Sequence, residues 1–179
     1  MPVLTSEYDL VRKNQEDGSR ALDEVAWMSA QGFTDLVLTL TQGARSYQLE
    51  DQEYLMVLRA FKPVAARARE SGVKLSLRIT PRHVADSLSS ADRVLNELHA
   101  DGLLVSLDLH GMLGEGHTDA PVLVRYFAPR LRFLELDPAW EGAAAFHAWL
   151  LTQDKALFPN DPAYLIRDGG GPKAGGTTL

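Results

Sequence analysis

Val73-Lys74-Leu75-Ser76-Leu77-Arg78-Ile79-Thr80-Pro81 is the stretch that decides the fold. Val73, Leu75, Leu77 and Ile79 alternate with Lys74, Ser76 and Arg78, which is the two-residue period of a strand. Thr80-Pro81 ends it, because proline has no amide to donate to a ladder. Upstream, residues 51–72 carry Leu55, Leu58, Phe61 and Ala65 at helical spacing behind Asp51 and close at Gly72. Pro63 predicts a kink or break near Lys62 in that helix. Earlier still, Ser19 is placed as the N-cap of a helix carrying Leu22, Val25, Ala26 and Ser29, with Gly32 at its left-handed end. A strand over 34–40 follows it.

The same rhythm continues downstream. Ser90 is placed as the cap of a helix with Val94, Leu95 and Leu98 inward and Gly102 at its end, and a strand over 103–109 follows at once. Residues 111–119 read as a loop, and 120–127 as a helix with Pro121 in its first turn and Pro129 as its stop. A strand over 131–136, a helix over 141–152 and a short strand over 163–166 complete the series. Residues 1–167 are therefore expected to form one (β/α)-repeat domain. Residues 168–179, glycine-rich and without apolar period, are expected to form a flexible tail.

Strands recurring about every thirty residues with helices between them are βα units, which require parallel strands and right-handed crossovers. Two α/β architectures repeat that unit: a closed (β/α)₈ barrel of about 250 residues and an open doubly wound parallel sheet. At 179 residues, length alone favours the open sheet. Thr41-Gln42-Gly43-Ala44-Arg45 has one glycine where a dinucleotide fingerprint uses three, which weakens a Rossmann reading.

Composition removes whole classes of function. With 18 Lys+Arg against 24 Asp+Glu the formal charge is −6, which excludes a globally basic nucleic-acid binder. Having 45% hydrophobic and 23% charged residues excludes disorder for the bulk of the chain. The absence of cysteine excludes a disulfide framework, a thiolate nucleophile and any Cys-ligated zinc or iron–sulfur centre. The first eighteen residues hold Glu7, Asp9, Arg12, Lys13, Glu16 and Asp17, so no apolar signal segment is read there. A cytoplasmic protein without a membrane partner is the expectation.

Asp108, His110, Glu115, His117 and Asp119 lie at or just beyond the end of the 103–109 strand, and Glu135 and Asp137 lie at the end of the next. Parallel α/β folds build their sites at that edge. Carboxylate and imidazole together suit zinc, manganese or iron, and on a strand Asp108 and His110 share a face. The alternative is that Asp108 caps loop amides while His110 and His117 are solvated. Glu135 and Arg78 each stand between apolar neighbours. Arg78 could meet Glu135 or Asp108 in a bidentate pair, either as a structural bridge or as part of a site. In a site, Arg78 would hold a phosphate or carboxylate while Glu135 or Asp108 accepts a proton.

The remaining candidates are weaker. His83 follows Pro81-Arg82 and either approaches the same edge or is merely solvated, and His99 and His147 read as helix surface or packing residues. Arg125, Arg130 and Arg132 read as a solvated face. Gly169-Gly170-Gly171-Pro172-Lys173 lacks both the Ser/Thr and the helix that follow a phosphate loop.

Several runs together carry a family resemblance. They are Ala21-Leu22 through Ala26 and Ala30 to Gly32 leading into Asp35-Leu36-Val37-Leu38, the 54–71 helix, Leu103-Leu104-Val105-Ser106-Leu107-Asp108-Leu109-His110-Gly111, and Arg130-Leu131-Arg132-Phe133-Leu134-Glu135-Leu136-Asp137. From Ala21 to about Asp137 the chain resembles the xylose isomerase-like TIM barrels, which include sugar epimerases and endonuclease IV. The resemblance implies a partial (β/α) TIM-barrel-like repeat acting on a small hydroxylated, sugar-type substrate at the strand C-terminal ends. It also implies a divalent metal (Mn, Zn or Mg), and only Asp108 transfers cleanly from the family's ligands; the strand-end residues themselves add His110 and Glu135 as candidate ligands beside Asp108, and make Asp108, Glu135 and Arg78 the candidate catalytic set.

The departures from the family pattern are specific. Arg78 stands about where a ligand Glu is expected, Glu135 replaces a histidine, and the histidine after Asp108 is displaced to His110. The last ligand Glu would fall on a strand this chain does not reach. The alternative function is therefore a non-catalytic, degenerate barrel serving as a binding or scaffold module. An incomplete barrel exposes strand edges, so a homo-oligomer or a partner completing the barrel is expected, with 34–40 as the leading edge candidate.

Overall fold

The computed structural model describes residues 3–98, 102–116, 119–137, 139–168 and 171–173. The chain divides into two compact units, Met1–Leu104 and Val105–Leu179. His99, His117 and most of the 168–179 tail lie outside the described residues. Among the described residues no helix is long and apolar enough to cross a membrane.

In the first unit the order is β1 (Val3–Glu7), α1 (Asn14–Gln31), β2 (Asp35–Thr39), α2 (Asp51–Glu70), β3 (Lys74–Ile79) and α3 (Leu88–Leu98). β2 pairs in parallel with β1 on one side and β3 on the other. The 34–40 segment is therefore not an edge, because Val3–Glu7 supplies a strand that the polar N-terminal sequence conceals. Every residue of β2 is buried, as expected of a strand covered on both faces. Paired residues of parallel strands point the same way. Thr5, Val37 and Ser76 thus form one layer, and Glu7, Thr39 and Arg78, two positions further on, form the next toward the strand C-termini.

The helices follow their apolar stripes but not always their expected ends. α1 begins at Asn14 rather than after Ser19. Asp17 Oδ2 accepts the Asp9 amide at 2.7 Å and Asp9 Oδ1 accepts the Arg12 amide at 3.1 Å, so the turn is anchored earlier. Gly32 does take the left-handed position, with φ +76°, where L side chains are strained. Of the expected kink or break, the break does not occur: α2 runs as one helix through Pro63. Pro63 and Arg59 both face solvent, so water can serve the Arg59 carbonyl that proline leaves without a donor. α3 is capped by Ser87, whose hydroxyl accepts the Ser90 amide at 3.1 Å. Ser90 lies inside the helix and reaches back to the Asp86 and Ser87 amides.

The second unit runs β4 (Leu104–Asp108), α4 (Leu109–Gly114), α5 (Ala120–Phe127), β5 (Leu131–Leu136), α6 (Ala143–Leu151), β6 (Ala163–Asp168) and β7 (Gly171–Lys173). β4, β5 and β6 pair in parallel in sequence order, and β7 returns antiparallel on β6. Within each unit every parallel crossover leads to the next strand along. That is the single winding of a barrel rather than the reversal of a doubly wound sheet, so the chain is a partial (β/α) TIM-barrel-like repeat. Asp119 caps α5 by accepting the Val122 amide at 3.2 Å. Arg132 does not belong to a solvated face. It is buried, with Nη1 donating to the carbonyls of Asn160 at 3.0 Å and Asp161 at 3.2 Å.

Candidate active site

The C-terminal ends of β4 and β5 bring two predicted carboxylates together. Asp108 and Glu135 are register partners on adjacent parallel strands, each only 2% exposed. Buried carboxylates need hydrogen-bond donors. Ser106, one turn of the pleat before Asp108, supplies one by donating from Oγ to Glu135 Oε1 at 2.9 Å. Asp108 Oδ1 accepts the Gly111 amide at 3.0 Å and so caps α4.

That cap removes His110 from the expected arrangement. The strand ends at Asp108, and the chain turns directly into α4, where the sequence predicts a loop from Gly111 onward and His110 on the strand. His110 is thus exposed in a helical first turn and does not share a strand face with Asp108. Asp137 Oδ1 accepts the Ala139 amide at 2.9 Å, so this carboxylate, like Asp119, stabilises a local turn.

At the strand ends of the first unit, Arg78 is 6% exposed, with Nη1 3.4 Å from Oε1 of the half-exposed Glu7. Glu7 becomes a partner only because β1 pairs with β2, which is not visible in the local sequence. Thr39 and Ser76, on the same face, bury hydroxyls without a hydrogen-bond partner among the described residues. The loop after β3 folds back on β2: the Val84 amide donates to Thr41 Oγ1 at 2.9 Å, and His83 Nδ1 bonds the Thr41 carbonyl. A carbonyl oxygen only accepts, so Nδ1 carries the hydrogen of this bond. Burial pushes its pKa below the usual value of 6.5. The Thr41 bond, Glu7 and Asp86 oppose that shift, and Arg78 adds to it. Arg82, at φ +65°, takes the strained conformation that sets up this return.

The residues do not fit the divalent metal that the family resemblance implies. Among the described residues no group of three or more His, Asp or Glu side chains could hold an ion. His110 lies exposed on α4, and Asp108 Oδ1 accepts the Gly111 amide.

Solved structures share this fold. The 3-keto-D-glucoside 4-epimerase YcjR from E. coli, in its apo form, aligns at TM-score 0.71 and 13% identity over 93% of this chain and 72% of that one. A D-psicose 3-epimerase, in the presence of D-fructose, aligns at 0.72 and 13% over 92% of this chain and 63% of that one. A xylose isomerase-like TIM barrel protein from Mycobacterium smegmatis, in complex with magnesium, aligns at 0.58 and 15% over 70% and 46%. The fold is that of the xylose isomerase-like TIM barrels, and the chain spans from about half to about three quarters of the length of such structures. No protein-family model and no curated protein sequence matches it.

Proposed function

We propose that the chain binds a small hydroxylated, sugar-type substrate at its strand C-terminal ends and acts on it as an isomerase or epimerase. The observation that carries this reading is the in-register pair of buried carboxylates, Asp108 and Glu135, at the edge where parallel α/β folds place their chemistry. Two carboxylates side by side suit proton transfer at a carbon next to a carbonyl. One carboxylate takes the proton, an enediolate forms, and the returned proton sets the new configuration. Ser106 holds Glu135 in place for this. Arg78, buried within the first unit, is there a candidate contact for an anion, a phosphate or carboxylate. No step runs through a metal ion. The epimerases of like fold support the sugar class.

A second reading is favoured by one specific observation. A cation, Arg78, and an exposed His110 stand where the family pattern wants ligands, which suits a degenerate barrel that binds without turnover. Calorimetric titration with a panel of pentuloses and hexuloses, with and without phosphate, tests binding. Wild type should bind at least one of them, and Glu135→Gln should bind it about tenfold more weakly, near 1.4 kcal/mol. Absence of binding across the panel, or binding unchanged in the variant, would overturn the assignment of the site.

A further inference from the structure

Within the first unit, an open cavity of about 220 Å³ lies where α2 ends and β3 begins, at the opposite end of β3 from Arg78. We infer that this cavity is a binding site for a small organic acid, a monocarboxylate with a compact apolar body, whose carboxylate is held by Arg69 and Lys74.

The local chain path brings the two cations to one place. Arg69 lies in the last turn of α2, Gly72 reverses the chain at φ +71°, and Lys74 is the first residue of β3. Both line the cavity and both are exposed. Neither takes part in an ion pair or a side-chain hydrogen bond among the described residues. A cation at a helix C-terminus is favourable by itself, which accounts for Arg69 but not for Lys74 beside it. Two like charges at one cavity repel, and an anion seated with both offsets that repulsion. Among the described residues no Asp or Glu lines the cavity, in a chain whose formal charge is −6. The local sign is thus opposite to that of the chain, and it draws an anion.

The rest of the wall selects among anions. Val73, Leu75 and Leu103 are buried beneath the rim, and the half-buried Ala65 adjoins them, so the surface away from the cations is apolar. A phosphate is best held by a nest of free backbone amides. Here the Gly72 amide donates to the Arg69 carbonyl at 3.2 Å, the Val73 amide to Ala68 at 2.9 Å and the Lys74 amide to Thr34 at 2.9 Å, so that turn has none to offer. A carboxylate on the two cations with an apolar body over the leucines matches both parts of the wall. Pockets for drug-sized ligands run to about 300–1,000 Å³, so a cavity of about 220 Å³ suits an acid the size of a single ring.

Saturation-transfer NMR, titrated with benzoate and cyclohexanecarboxylate and with neutral benzamide, tests the inference. Neither acid is a ketose, so this reading and that of Asp108 and Glu135 stand or fall separately. At least one acid should bind with a Kd of about 1 mM or tighter, and benzamide at least about tenfold more weakly. Arg69→Gln and Lys74→Gln, at exposed positions and so compatible with the fold, should each weaken the acid about fivefold, and the double variant should lose it. The inference is overturned by no transfer from either acid at about 10 mM, or by benzamide binding as well as benzoate. Binding unchanged in the double variant would place the acid at another cation, such as Arg78, and overturns it too. So does displacement of the acid by equimolar inorganic phosphate, since a merely charged surface would hold both alike.

Discussion

Replacing Ser106 with alanine isolates the best-defined bond of the carboxylate site. Ser106 Oγ lies 2.9 Å from Glu135 Oε1, and with the two residues 0% and 2% exposed, water cannot readily replace what is lost. A hydrogen bond to a charged acceptor contributes about 1.5–3 kcal/mol. Ser106→Ala should therefore destabilise the fold by about 2 kcal/mol. Part of that would be ordinary packing loss, so the assay is a double-mutant cycle with Glu135→Leu, read by urea unfolding. Glu135→Leu removes the acceptor with similar bulk, and Ser106→Ala should then cost little, for a coupling of about 1.5 kcal/mol. Additivity within about 0.5 kcal/mol would refute the reasoning, because it would mean the hydroxyl and the carboxylate do not feel each other.

Three further outcomes follow from other parts of the fold. His83 is held neutral in the folded state, so below its unfolded pKa of 6.5 the unfolded chain binds a proton that the folded chain resists. The stability this gives is whole above pH 6.5 and declines as pH falls toward the depressed folded pKa, and His83→Gln should flatten that part of a pH series of melting temperatures. Pro63→Ala in α2 should raise stability by about 2 kcal/mol, since the mid-helix penalty of proline exceeds its effect on the unfolded chain; denaturant midpoints give the answer. Gly32→Ala should cost about 1 kcal/mol by the same measurement, because its φ of +76° strains any L side chain.

The sequence exposes those elements whose ends carry local chemistry. Pro121 and Pro129 bracket α5 at Ala120–Phe127, and the strand expected over 131–136 coincides with β5. Elements held mainly by distant partners are not legible. β1, with Thr5, Ser6 and Glu7, reads as polar N-terminal sequence and becomes a strand only against β2. β7 forms Gly171–Lys173 within a stretch that composition marks as flexible, through pairing with β6. The placing of Asp108 and Glu135 at the ends of adjacent strands is legible because strand ends are. His110 misleads, since the Asp108 cap that turns the chain into α4 is a local choice no periodicity reveals. Glu7 beside Arg78 and the His83 return onto Thr41 depend on strands brought together from far along the chain.

The most direct measurement of the central claim, that Asp108 and Glu135 move a proton on a sugar, is deuterium incorporation followed by proton NMR. A ketose or ketose phosphate incubated with the protein in D₂O should lose the signal of the hydrogen on the carbon beside its carbonyl. Glu135→Gln and Asp108→Asn should slow that loss by at least about a hundredfold, the usual contribution of a positioned acid or base. Incorporation no faster than in buffer, for a sugar that calorimetry shows to be bound, would contradict the claim and leave the chain a binding module.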